Sequence, residues 1–174
     1  MDSGFRRNDA GVNMTEEEAK KIAQQIFSKA YDLQMAGDLE GAIEEYKRSI
    51  EIFPTAEAHT FLGWTYSFQR KYEEAIQECK EAIKVDPDFG NPYNDIGAYL
   101  MEKGNLDEAI PWFKKAMASK RYDSYCYPHY NLGRVYEQQG KWKEALKSYE
   151  TSVQTNPKYN LAQRAVSRLK AMLN

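Results

Sequence analysis

The most reactive side chains in this sequence are Cys79, Cys126, His59 and His129. Cys126 and His129 stand three apart, which on a helix brings a thiol and an imidazole to one face, as two ligands of a metal would require. A metal site needs three or four ligands, and this pair supplies two. No Gly-rich phosphate loop, nucleophile elbow or paired Cys motif is present. The two cysteines fall far apart in the chain, and a reducing cytoplasm is the simpler setting for them than a disulfide. The chemistry expected is therefore non-enzymatic, with no metal and no cofactor. What remains is recognition by a surface, and the aromatic residues (13 Tyr, 7 Phe and 3 Trp) are the material for it.

Charge is unevenly distributed. Residues 1–110 hold 12 Lys/Arg against 22 Asp/Glu, and residues 111–174 hold 12 against 4, so the halves carry −10 and +8 within a net −2. A dipolar chain of this kind suits head-to-tail association or an acidic ligand at its C-terminal end, and the plainer reading is a solvated surface. No run of about 18 apolar residues argues for a membrane span. Residues 1–13, MDSGFRRNDAGVN, lack periodicity and read as a disordered leader. The peptide DSGFRRND resembles those translated from dispersed repeats in bacterial intergenic DNA, which makes Met14 the natural start. Thr15 followed by Glu16, Glu17 and Glu18 is a capping box that opens the ordered chain.

Four small residues, Ala30, Gly63, Gly97 and Gly133, recur at spacings of 33, 34 and 36. Counting from each anchor, a turn residue follows at +7 (Gly37, Arg70, Gly104, Gly140) and an alanine at +12 (Ala42, Ala75, Ala109, Ala145). A second small residue follows at +19 (Ser49, Ala82, Ala116, Ser152), and Pro54, Pro87, Arg121 and Pro157 stand at +24. Two antiparallel helices approach closely only where one presents Gly or Ala to the other, so the small residues mark a helix–helix contact. Large residues flank them at helical spacing: Ile26 and Leu33, His59 and Tyr66, Tyr93 and Leu100, His129 and Tyr136 around the anchors. His129 thus occupies the slot of Ile26, His59 and Tyr93, and Cys79 the slot of Tyr46, Phe113 and Tyr149, both core positions. Asn91-Pro92 reads as an N-cap with a first-turn proline.

This helix–turn–helix pattern of about 34 residues resembles the tetratricopeptide repeat (TPR) family. The resemblance implies an all-α fold, a right-handed α-solenoid of antiparallel helix pairs. Residues 14–159 would form four repeats at about 23–55, 56–89, 90–125 and 126–159, and 160–174 a capping helix. Leu161, Ala165, Val166, Leu169, Met172 and Leu173 form that last helix's apolar stripe. There are departures: Ala30 and Lys29 in the first repeat, and in the third a missing proline with two extra residues in the exit loop, SKRYDSYCYP.

In a TPR array the first helices line a concave groove. Offsets −3, −2, +1, +4 and +5 from the anchor lie on one arc of these helices. With Tyr127 nearby, they nominate Phe27, Tyr31, Phe61, Trp64, Phe68, Asn94, Asp95, Met101, Tyr127, Tyr130, Asn131 and Arg134 as peptide-binding. The groove is aromatic toward the N-terminus and polar toward the C-terminus. Aromatics anchor partners over large areas, Asn94 and Asn131 offer paired donors and acceptors, and Arg134 suits a carboxylate. TPR domains that grip the carboxylate of chaperone peptides use Lys, Asn, Asn, Lys and Arg. Here the matching positions are Phe27, Tyr31, Phe61, Asn91 and Asp95, without a positive charge. The expectation is a cytoplasmic scaffold for a protein or peptide partner, with no nucleic acid and no membrane. The alternative is a structural module that self-associates head to tail through the −10/+8 asymmetry.

Overall fold

A helix pair forms where two apolar stripes of period 3.6 can face each other across small residues, with a turn short enough to fold one back on the other. The computed structural model describes Arg6, Arg7 and residues 13–173. It contains two compact units, Met1–Asp86 and Pro87–Asn174. Of the expected leader, Arg6–Arg7 (β1) pairs antiparallel with Asn13–Met14 (β2), a two-residue ladder where irregular chain was expected; its other residues lie outside those described.

In the first unit, α1 (Glu16–Met35) packs on α2 (Leu39–Ile52), and α3 (Ala56–Phe68) on α4 (Tyr72–Val85). Thr15 caps α1 as its sequence predicts, its hydroxyl accepting from Glu18 N at 3.2 Å while Glu18 Oε2 accepts from Thr15 N at 2.8 Å. Cross-links then run in opposite directions along the two helices. Gln34 meets Tyr46, Lys29 meets Glu45 and Ala23 meets Ser49, so α1 and α2 are antiparallel. In the second unit, α5 (Asn91–Glu102) packs on α6 (Leu106–Ala118), α7 (Cys126–Gln138) on α8 (Trp142–Thr155), and α9 (Asn160–Leu173) covers α8.

The small residues pack as their spacing predicts. Ala30, Ala42, Ala75, Ala109 and Ala145 are fully buried. A Cβ on Gly97 would sit 2.6 Å from the Phe113 ring, and one on Gly133 2.6 Å from the Tyr149 ring. On Gly63 it would meet the Ala75 carbonyl oxygen at 2.9 Å. The serines at +19 also form hydrogen bonds between the helices. Ser49 Oγ donates to Ala23 O and Ser152 Oγ to Cys126 O, each at 2.8 Å, which ties the end of a second helix to the start of its first.

All four intra-repeat turns share one geometry. The residue at +7 has positive φ: 86° at Gly37, 59° at Arg70, 85° at Gly104 and 72° at Gly140. The next amide then bonds back to the carbonyl five residues earlier, as in Asp38 N to Leu33 O at 3.0 Å and Lys141 N to Tyr136 O at 2.8 Å. This is the Schellman closure of a helix end, and glycine is the residue that adopts it without steric cost.

Three expectations need correction. Gly90, not Asn91, is the N-cap of α5, and no side chain caps it; Asn91 is already helical. Gly90 N is instead taken by Arg121 O at 3.0 Å. The deepest first-helix positions are −1 and +2 (Leu62, Thr65, Ile96, Tyr99, Leu132, Val135), while most of the residues at −4 and +3 are only half-buried. The first repeat bears Lys29 and Asp32 at offsets −1 and +2, both exposed, since no helix pair precedes α1 among the described residues. In α9, Ala162, Ala165 and Leu169 are buried, but Leu161, Met172 and Leu173 are 50, 51 and 43% exposed, so the covering stripe is narrower than the sequence suggests.

Two substitutions test this register. Gly97→Ala should lower stability by about 1–3 kcal/mol in urea melts, although the same change on an exposed helix surface would raise it. Arg70→Gly should raise stability by about 0.5–1 kcal/mol, because it relieves the left-handed backbone without touching a contact.

Candidate peptide-binding surface

A first helix can present to a partner only what its packing leaves uncovered. In the first unit the rings of α1 and α3 form a connected series. Phe27 meets Phe61 edge-on at 5.3 Å, Tyr31 meets Phe61 at 5.8 Å, Phe61 meets Trp64 at 5.6 Å and Trp64 meets Phe68 at 5.3 Å. Such tilted and edge contacts are the favoured arrangements of aromatic quadrupoles. Phe27 and Phe61 are partly buried against the cluster of Ala30, Ala42, Ile43, Tyr46 and Leu62. Tyr31, Trp64 and Phe68 remain exposed, at 40, 37 and 53%, and Met35 of α1 is 50% exposed.

The corresponding face of the second unit is polar and internally bonded. Asn131 Nδ2 donates to Asn94 Oδ1 at 3.2 Å, and Asn94 Nδ2 donates to Asp95 Oδ1 at 3.3 Å. Arg134, expected to be open to a carboxylate, already pairs with Glu102 at 3.4 Å, an exposed contact of small worth. Tyr130 is half-buried between Tyr149 and Tyr159, at 5.4 and 5.2 Å, and Tyr127 lies edge-on to Tyr159 with 44% of its surface exposed. Met101 is only 4% exposed and presents no surface. Its offset, +4, faces the second helix: the equivalent Gln34 is equally buried and accepts the Tyr46 hydroxyl at 2.8 Å.

Two family models described as "Tetratricopeptide repeat" match the sequence, at residues 56–89 and 88–158. The chain belongs to the tetratricopeptide repeat family. Among curated relatives, the small glutamine-rich tetratricopeptide repeat-containing protein 2 of Mycosarcoma maydis is 30% identical over 97 residues, 55% of this chain and 27% of that protein. The chain therefore spans about a quarter of the length of that relative. Among solved structures, pilF of Pseudomonas aeruginosa superposes with a TM-score of 0.80 at 22% identity, covering 87% of this chain and 68% of that one. YrrB, described as a TPR protein with an unusual peptide-binding site, superposes at 0.65 and 21% identity over 90% of this chain and 80% of its own. Both likenesses establish the fold.

Within the TPR frame two residues of the second unit were not among those nominated from the sequence, although Glu137 stands at the +4 offset of the arc. Glu137, at +4, accepts the Tyr149 hydroxyl at 2.8 Å, and Arg168 of α9 clasps the same carboxylate at 2.5 and 2.8 Å. Arg168 holds the Glu137 carboxyl below the usual carboxylate range. These residues border a crevice of about 450 Å³ lined also by Tyr130, Arg134 and Trp142. The signal was present: counting Ser167, 34 residues after Gly133, as the anchor of α9, Arg168 occupies offset +1, the slot of Tyr31, Trp64 and Arg134.

Cys126 is buried and accepts a weak bond from Asn156 Nδ2 at 3.9 Å, and burial lowers the His129 imidazole. Among the described residues no three His, Cys, Asp or Glu side chains gather to hold a metal.

Asp95 is half-buried, and burial pushes its carboxyl up to about 7, against a smaller lowering from Asn94. The folded state thus holds a proton that the unfolded chain releases near pH 4, so ionisation of Asp95 removes stability as pH rises from about 4 to 7. Asp95→Asn should be nearly neutral at pH 4 and stabilise by about 1–2 kcal/mol at pH 7.5, allowing for water at the partly open carboxylate. Thermal melts across that range measure the difference; a gap that did not widen with pH would contradict it.

Proposed function

We propose that this chain is a non-enzymatic protein-interaction scaffold whose first-helix faces take an extended peptide or a short helix of a partner protein. The observation that carries the reading is the exposed, mutually braced set Tyr31, Trp64 and Phe68 on α1 and α3. Rings held by their neighbours lose little entropy on binding, and large aromatics dominate interface energetics. Met35, 50% exposed, adds an adaptable apolar contact. In the second unit Asn94, Asn131 and Tyr127 offer hydrogen-bonding and ring contacts suited to a peptide backbone and its side chains. The peptide-binding site named for YrrB, on the same fold, supports this use of it.

The proposed setting is a bacterial cytoplasm. Cys79 and Cys126 are buried and form no disulfide, and among the described residues no helix is long and apolar enough to cross a membrane.

Peptides selected from a displayed random library on the intact chain test the reading. Trp64→Ala should weaken the selected peptides by roughly thirty-fold, the loss expected of a truncated hot-spot aromatic, with the helical circular dichroism unchanged. Equal binding to the variant would remove the aromatic face from the site.

A further inference from the structure

The acids on the first-helix face of the second unit are not all alike. Glu102 pairs with Arg134 and Glu137 with Arg168. Asp95 alone of these three has no cation: among the described residues no lysine or arginine reaches it, and its one hydrogen bond is the long contact from Asn94 Nδ2 at 3.3 Å. The donor is itself engaged, since Asn94 Oδ1 accepts from Asn131 Nδ2. One carboxylate oxygen of Asp95 is left without a partner on a face that is otherwise bonded. The repeat does not require an acid at this offset, where the other repeats carry Ser28, Phe61 and Asn131.

The surroundings are built by the one loop that breaks the repeat. Residues 119–125 turn back over the start of α5, with Gly90 N donating to Arg121 O at 3.0 Å and Arg121 N to Asp88 O at 2.9 Å. The Arg121 guanidinium lies 4.0 Å above the Phe89 ring. This clasp seats Tyr122 so tightly that a Cβ on Gly90 would meet its ring at 2.5 Å. Tyr122 is 5% exposed, and its phenol is raised by burial first and then by the neighbouring Asp95 carboxylate. The Tyr122 ring is fixed edge-on against Tyr125 at 5.4 Å. The result is a carboxylate at a half-open position, close enough to the buried Tyr122 phenol to influence it, with the bonded Asn94 and Asn131 amides next to it. An unpaired, partly desolvated carboxylate carries an electrostatic cost that a cation removes.

We propose that Asp95, half-open, without a cation and flanked by Asn94 and Asn131, receives the ammonium or guanidinium of a lysine or arginine in the bound peptide. This inference rests on the peptide-binding reading above and assigns one side-chain class to it. The upward shift of the Asp95 carboxyl agrees: a basic residue arriving there displaces a proton, so its binding strengthens as pH rises through 7. The groups next to the Asp95 carboxylate are Asn94 of α5, bonded in turn to Asn131 of α7, and the Tyr122 phenol of the loop, which Tyr125, Cys126 and Tyr127 also influence.

The probe is the set of random peptides selected on the full chain, each then resynthesised with norleucine in place of any lysine or arginine. Selected peptides should share a Lys or Arg at one position. Asp95→Asn should weaken them at least ten-fold, norleucine should do the same to the wild type, and the two changes together should cost no more than either. Wild-type affinity should rise several-fold from pH 6 to pH 8 and that of Asp95→Asn should stay flat. Peptides that depend on Trp64 but are indifferent to Asp95→Asn would overturn this inference and leave the scaffold reading standing. Peptides indifferent to both, or none selected, would overturn the two together.

Discussion

The separation of the two helices in each repeat depends on what stands sixteen residues after the anchor. Phe113 and Tyr149 lay a ring directly on Gly97 and Gly133, in the space a Cβ would fill. Tyr46 does the same duty beside Ala30, and both are fully buried. In the second repeat the residue at +16 is Cys79, much smaller than a ring, and there the backbone itself closes in, the Ala75 carbonyl standing 2.9 Å from where a Gly63 Cβ would be. Glycine is thus needed for two different reasons, to admit a ring and to admit a backbone. Interiors are packed to crystal-like density, so a smaller side chain on one helix is met by a closer approach of the other rather than by a void.

That contact reaches the surface through one more side chain. A buried phenol must find a hydrogen-bond partner, and the residue at +4 of the first helix supplies it. Tyr46 takes Gln34, and Tyr149 takes Glu137, which in turn fixes Arg168 on α9. Where the ring is Phe113, with no hydroxyl, the +4 residue is Met101, buried and apolar. The chemistry of the first-helix face is therefore set partly from beneath. The acid at +4 answers a tyrosine in the second helix, and it then attracts an arginine at +1 of the helix that follows. The polar character of the second unit's face grows from its core in this way, while the exposed aromatics of the first unit sit at +1 and +5, where nothing beneath dictates them.

What was legible in the sequence was whatever depends on spacing. The anchors, the +12 alanines, the +7 turns and the capping box of Thr15 all have local causes, and each stands where its period placed it. Arg70 shows how strong that local cause is: a side chain with a Cβ takes the same positive φ, 59°, as its three glycine counterparts. What was not legible depended on partners far along the chain. Offset alone could not tell that +4 points inward at Met101, since +4 stands at the edge of the arc, one turn from the anchor, and what the second helix puts below it decides its burial. Nor could it tell that Arg134 and Arg168 are already paired, or that Leu161 and Met172 of α9 have no second helix to meet among the described residues.

The exit loop of the third repeat is the instructive failure. By sequence it is a defect, two residues too long and without the proline found at the other exits. A proline at +24 ends each of the other second helices by removing a donor and fixing φ. Arg121 stands there instead, and its amide, which proline would lack, donates to Asp88 O, while its carbonyl accepts from Gly90 N. The loop thereby replaces a steric stop with a two-bond ladder to the chain that opens the same repeat. Such a ladder can carry side chains that a proline turn cannot, and Tyr122 is the one it buries beside Asp95. Departure from the repeat is where a repeat protein acquires chemistry of its own, because positions bound by the period serve packing that all repeats share. Asn91 loses its capping role to Gly90 for the same reason: the residue before the helix must lack a Cβ so that the returning loop can lie against it.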